Sequence, residues 1–264
     1  MDNLLEIRDL KVDFILKNRI IPAVDAASLD IRKNEVVLLA GESGSGKTVS
    51  ALSIVRILPP NARITSKSIR FEGLELSTMP DDLLNKIRGK DIAYIFQEPA
   101  SFLNPVYTIG SQITESIIIH QGKPKEEAQT CALELLDSVN IHDPKRVFYS
   151  YPHQLSGGMN QRAFVAMSLS SRPKLLIADE PTTSLDVTIE AQILELLLRL
   201  KKEFSFSLLF ITHNLSIAKK IADRIYIMHR GKIVEEGSKE DIFQGPKHFH
   251  TKELIQAYEK IGKL

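Results

Sequence analysis

The chain has one cysteine, Cys131, so it can close no internal disulfide and cannot build an all-cysteine zinc or iron–sulfur site. Long apolar runs are missing too. Stretches such as 36–40 and 196–198 are only a few residues long, against the roughly 20 needed to span a bilayer. The chain does not open on a basic segment followed by an apolar one. Met1-Asp2-Asn3 leads into an alternating run at 4–10, so no secretory leader is expected. Charge of one sign is lacking as well: 34 Lys plus Arg face 33 Asp plus Glu, for a net charge of +1. That balance removes the general electrostatic footprint of a nucleic-acid binder. No internal repeat or low-complexity segment is found. The expectation is a soluble, cytosolic chain whose membrane role, if any, passes through a partner.

What remains suits one large α/β domain: 264 residues, 43% apolar and 25% charged. Runs rich in Val, Ile, Leu and Phe at 4–12, 36–40, 69–71, 92–96, 175–178, 208–211 and 225–228 predict strands. Helical patterns at 47–58 and 188–204 lie between them, and this alternation predicts a largely parallel sheet covered on both faces. Residues 105–171 break the rhythm with successive helices at 109–121, 125–139 and 161–170, which reads as a helical lobe inserted into the core. Gly231 to Gly237 predicts a turn and a short strand, followed by helices at 239–244 and 251–261. Cys131 falls on an amphipathic helix, where a small buried hydrophobe is expected.

Gly41-Glu42-Ser43-Gly44-Ser45-Gly46-Lys47-Thr48 fits G-x-x-x-x-G-K-[ST] and lies between an apolar strand and a helix. The glycines let successive backbone N–H groups curl around one anion, and the helix adds its positive end. Lys47 should reach the β- and γ-phosphates, and the Thr48 hydroxyl should bind Mg2+. Leu175-Leu176-Ile177-Ala178-Asp179-Glu180 is an apolar strand ending in two carboxylates. Asp179 is placed to hold Mg2+ and Glu180 to polarise an attacking water.

Leu155-Ser156-Gly157-Gly158-Met159-Asn160-Gln161-Arg162 resembles the signature motif of ABC (ATP-binding cassette) ATPases. The resemblance implies an ABC nucleotide-binding domain: a RecA-like P-loop core with an antiparallel β subdomain and an inserted α-helical subdomain. Residues 1–104 and 172–238 would form the core, 105–171 the signature lobe and 239–264 a helical extension. The resemblance also implies that Ser156, Gly157 and Gly158 serve ATP held by a neighbouring cassette. Gln97 matches the Q-loop glutamine, which meets Mg2+ and the attacking water. Asp186, in Ser184-Leu185-Asp186, matches the D-loop, and His213 the switch histidine. Phe14 stands where the family places an aromatic against adenine, and Val49 follows the P-loop threonine as a further nucleotide contact. Met159, Asn160 and Asn214 depart from the commonest pattern, at positions with no expected phosphate contact.

Glu98 to Pro105, Tyr151 to Met159, Ala178 to Thr188 and Gly245 to Thr251 are similar to one branch, the ATPases of peptide and nickel importers. That branch implies ATP and Mg2+ as ligands, a second cassette, two integral membrane permeases and, indirectly, an extracytoplasmic solute-binding protein. It places the chain on the cytoplasmic face of the membrane. No cysteine cluster is present, so no iron–sulfur cluster is expected, and this short form inclines the reading toward nickel or metal chelates, with peptides the alternative. His248 and His250 are expected to be a solvent-exposed pair and not a metal site, and His229 has no arrangement that suggests a role. An ABC ATPase acting on DNA or ribosomes is the competing function. It is disfavoured because no long coiled-coil insertion or basic block is visible. A P-loop kinase would leave 155–162 and His213 unexplained.

Overall fold

The computed structural model describes residues 3–17, 19–182 and 187–261. The chain divides into two compact units, Met1–Leu84 with Ser207–Leu264, and Asn85–Phe206.

In the first unit the strands Asn3–Leu16 and Arg19–Arg32 form a long antiparallel hairpin, paired from Asn3 opposite Arg32 to Leu16 opposite Arg19. Ala62–Thr65 and Ser68–Phe71 pair antiparallel with its first strand, and Leu74–Glu75 extends the sheet. Leu5, Ile7, Leu10, Val12, Ile31 and Ile69 are buried in it. Each such side chain contributes about 1.5–3 kcal/mol by leaving water. The second hairpin strand escapes sequence reasoning because only its latter half alternates: Val24, Ala27, Leu29 and Ile31 are buried, whereas 19–22 is exposed. Irregularities in register between Ile7 and Val12, and a positive φ of 56° at Ala26, further blur the period-two pattern.

The same unit contains a parallel array. Val36–Ala40 pairs with Ser207–Thr212 and with Arg224–His229, and the latter pairs antiparallel with Lys232–Ser238. Every residue of Val36–Ala40 and Ser207–Thr212 is buried, as strands covered on both faces require. The helices Lys47–Ile54, Leu215–Ile221, Lys239–Gln244 and Phe249–Ile261 belong to this unit.

In the second unit Ile92–Ile95 and Leu175–Asp179 pair in parallel, Ile92 opposite Leu175 through Ile95 opposite Ala178. The helices Ile109–Gln121, Lys125–Ser138, Pro144–Phe148, Gly157–Leu169 and Val187–Phe204 accompany them. Ile109–Gln121 starts where the Thr108 side chain accepts the Ser111 N–H, and stops at Gly122, whose φ is 68°. A Cβ on Gly110 would lie 2.3 Å from the Phe148 ring, so glycine lets the two helices approach closely. Gly157–Leu169 begins four residues before the predicted 161, because Ser156 caps it. Cys131 is half-buried rather than buried.

Candidate functional site

The strand Val36–Ala40 ends in the loop 41–46, and steric detail explains the loop's glycines. A Cβ on Gly41 would stand 2.1 Å from the Met228 carbonyl oxygen. At Gly46 a Cβ would meet the Ala23 carbonyl oxygen at 2.6 Å, and its φ of 106° is one that other residues rarely adopt. Gly46 opens the helix Lys47–Ile54 and, having no side chain, gives it no side-chain cap. Lys47 is only 5% exposed, and its ammonium donates to the carbonyls of Gly41 at 2.9 Å and Glu42 at 2.8 Å. It also reaches Ser45 Oγ at 3.5 Å. The Ser45 N–H donates to the Glu42 carbonyl, and the Ser45 carbonyl accepts from Gly231 N–H. Glu42, Ser43, Gly44 and Thr48 are exposed, and Val49 is half-buried. Positive dipole and ammonium thus meet at one short loop, a device suited to polyanionic phosphate.

Two other expected residues lie in this unit. His213 is exposed, directly after the strand Ser207–Thr212. The residue after it, Asn214, caps the next helix by accepting from Ser216 N–H at 3.0 Å, as either an amide or a carboxylate oxygen can. Phe14 is half-buried on the long hairpin, opposite Ile21 and Ala62.

In the second unit, Asp179 ends the strand Leu175–Asp179 and is 4% exposed. The Tyr94 hydroxyl donates to its Oδ2 at 2.7 Å, and burial together with that carboxylate pushes the Tyr94 phenol well above its ordinary range. Tyr94 therefore stays a neutral donor to a charged acceptor. Glu180 follows, half-buried, with a φ of 44°, uncommon for a residue with a Cβ and typical of functional turns. Gln97 is exposed, just beyond the strand Ile92–Ile95.

Ser156 caps the helix Gly157–Leu169 by accepting the Met159 N–H at 3.4 Å. A Cβ on Gly157 would have no heavy atom within 4 Å, and one on Gly158 would meet only Ile189, at 3.7 Å. Asn160, buried, donates from Nδ2 to the Pro152 carbonyl at 3.0 Å, tying the preceding turn to the helix. Packing here therefore favours a short amide over a longer basic side chain. Asp186, with Ser184 and Leu185, lies outside the described residues.

One grouping is absent from the sequence reading. His250 is 5% exposed, not part of a solvent-exposed pair, and its ring lies 3.8 Å from that of His229. Ligand atoms of Glu42, His229 and His250 all lie within 4.8 Å of one another. Residues so distant in sequence carry no local pattern that could have signalled this.

The sequence profile of the family described as ABC transporter matches residues 24–183. The chain belongs to the ABC transporter family. Among curated ABC relatives, the peptidoglycan transport ATP-binding protein YejF of Agrobacterium fabrum is 50% identical over 258 residues, 97% of this chain and 47% of the relative. The chain thus spans about half that relative's length. The dipeptide transport ATP-binding protein DppD of Haemophilus influenzae is 47% identical over 260 residues, 98% of this chain and 79% of the relative. The dimeric post-hydrolysis state of the ATP-binding cassette MJ0796 bound to ADP and Pi matches with a TM-score of 0.79 at 27% identity, covering 93% of this chain and 100% of that one. The ABC cassette fold expected from the signature motif is therefore the fold of this chain.

Proposed function

We propose that this ABC chain is the ATP-hydrolysing subunit of a membrane importer for peptide-class solutes. The observation that carries the ATPase reading is the buried Lys47 ammonium on a loop that opens an uncapped helix. The peptide class rests on the relatives' names, which favour it over the nickel or metal-chelate cargo that the short form suggested.

The N–H groups of 41–48 and Lys47 bind the β- and γ-phosphates of ATP, with Val49 beside them and Phe14 against the adenine. Glu180 accepts a proton from water as the water oxygen bonds to the γ-phosphorus and the bond to the ADP oxygen breaks. Gln97 and His213 orient that water. Thr48, Gln97 and Asp179 each offer oxygen, the donor Mg2+ takes, and the ion they would hold would supply charge neutralisation on the phosphates. Ser156, Gly157, Gly158 and Asp186 serve ATP held by a second cassette, a paralogue or a second copy. In support, a Cβ on Gly157 would meet nothing within 4 Å, which leaves room for a ligand to approach this turn.

The lobe 105–171 and the Gln97 region pass the motion to two integral membrane permeases, served indirectly by a solute-binding protein, while 1–104 and 172–238 form the catalytic core and 239–264 the extension. Exposed apolar side chains on two bonded segments favour such docking. Val106 is 71% and Tyr149 75% exposed, with Tyr107 and Tyr151 also exposed, and the two segments are joined by the Ile109 N–H to Ser150 carbonyl bond. No helix among the described residues is long and apolar enough to cross a membrane. The reading places the chain peripherally at the cytoplasmic face, held there by these partners.

Glu180→Gln should keep ATP binding and lower hydrolysis by about 10²–10⁴-fold. Unaltered phosphate release would remove the base assignment. Vesicles rebuilt with the co-purified membrane subunits and binding protein should take up a labelled dipeptide when ATP is supplied. Uptake of a nickel chelate instead would overturn the cargo.

A further inference from the structure

The close fit of Gly41 under the Met228 carbonyl has a neighbouring effect. It brings the next residue of the loop, Glu42, beside the next residue of the strand, His229. The third member of the group comes from the helix Phe249–Ile261, whose approach is fixed by Glu235. That carboxylate accepts the N–H groups of Lys247 at 2.7 Å and His248 at 2.9 Å. Although burial opposes it, those bonds hold the Glu235 carboxyl below its usual range, so the anchor stays charged. The His250 N–H donates to His248 Nδ1 at 3.2 Å, and the Glu253 carboxylate stands 3.9 Å from His250 Nδ1. His250 Nε2 is buried and makes no hydrogen bond.

A buried imidazole nitrogen without a partner is costly in an ordinary interior. Here the ring that carries it lies against a second imidazole, with a carboxylate close by. Burial, then the neighbouring His229, lowers the His250 pKa, and the neutral ring that results is the form that binds metal. We propose that Glu42, His229 and His250 form a binding site for a divalent transition-metal cation of the Zn2+/Ni2+ class. Two imidazole nitrogens and one carboxylate oxygen suit that class better than Mg2+ or Ca2+, which favour all-oxygen shells. Their ligand atoms, within 4.8 Å of one another, must close to roughly 3.3 Å, the separation that bonds of about 2.0–2.1 Å at tetrahedral angles give. Small side-chain rotations of the exposed Glu42 and half-buried His229 suffice. The remaining coordination positions go to water. A bound cation fastens the phosphate loop to the strand end and to the last helix. The site does not depend on the ATPase reading.

The test uses the untagged full-length chain, stripped of metal and titrated with ZnCl2 by calorimetry, with Co2+ absorbance as a geometric probe. One Zn2+ should bind per chain and raise the thermal midpoint. His229→Ala and His250→Gln should each weaken binding by at least about 10-fold and abolish the thermal shift. His142→Ala, at an exposed histidine outside the group, and Cys131→Ser should change neither, and excess Mg2+ should not displace Zn2+. Should His250→Gln fail to fold, as judged by circular dichroism, His229→Ala decides alone. Zn2+ affinity that survives in the folded histidine variants, or that is lost with His142 or Cys131 instead, overturns the site.

Discussion

Gly46 and Gly157 both stand where a helix begins, yet only one of them is dictated by its own chain. At Gly46 a Cβ would collide with the Ala23 backbone and the φ is left-handed, and the helix that follows has no side-chain cap. At Gly157 there is open space, and Ser156 already caps the helix. The phosphate loop is a closed piece of engineering in which glycine, lysine and strand end constrain one another. The signature turn leaves room around its first glycine. Sequence alone shows Ser and Gly in both, and only the surroundings show which glycine its own chain requires.

The largest effect that would break the contrast belongs to Gly46→Ala. It should cost about 2–5 kcal/mol through strain and overpacking, and abolish ATP binding. Urea unfolding at wild-type midpoint would show that the collision relaxes without cost. Gly157→Ala should do the reverse. Stability should hold or rise by up to about 1 kcal/mol, since alanine suits a helix better than glycine, and ATP affinity of the isolated chain should not change. Turnover in the assembled complex should nonetheless fall at least about 10-fold, by analogy with the loss of one anion-binding donor. Equal turnover would leave the approach of a ligand to this turn without support. Ser156→Ala should lower stability by about 0.5–1 kcal/mol, the low end for a lost cap, because the bond it makes is long. A loss of several kcal/mol in thermal unfolding would mean that this turn, too, is constrained from within.

The smallest effect is a control away from both turns. The Arg224 guanidinium bonds Asp30 at 3.0 Å and Glu35 at 3.4 Å. Against the opposing effect of burial, it holds the Asp30 carboxyl below its ordinary 3.8. A folded value below the unfolded one means that this stability is full above pH 3.8 and drains away as pH falls through the folded value. Asp30→Asn should flatten the acid limb of the stability curve below pH 4 and leave ATP binding untouched, which acid titration of the unfolding midpoint would show.

Much of the site was legible because its chemistry needs fixed residue types at fixed spacing. The phosphate loop and the acid pair at 179–180 lie at the ends of elements the apolar pattern predicted, whereas the helix that Ser156 caps starts four residues before the predicted 161. The strand Arg19–Arg32 was not legible, since its exposed half and Pro22 erase the alternation. Asn160 was visible only as a departure from pattern, and its reason, the Pro152 carbonyl, is a tertiary fact. The Glu42–His229–His250 group was invisible for the same cause: three distant segments converge where the first parallel array meets the last helix.

The buried Lys47 ammonium carries a consequence for how such a chain could change over generations. Because the same nitrogen fastens the carbonyls of Gly41 and Glu42, the grip on ligand and the shape of the loop are inherited together. A descendant that drifts to a neutral residue at 47 takes the ammonium from the Gly41 carbonyl and leaves the Glu42 carbonyl with only the Ser45 N–H, as well as losing a charge, so decay of this site should be abrupt, and a cassette that has abandoned hydrolysis should still keep its lysine.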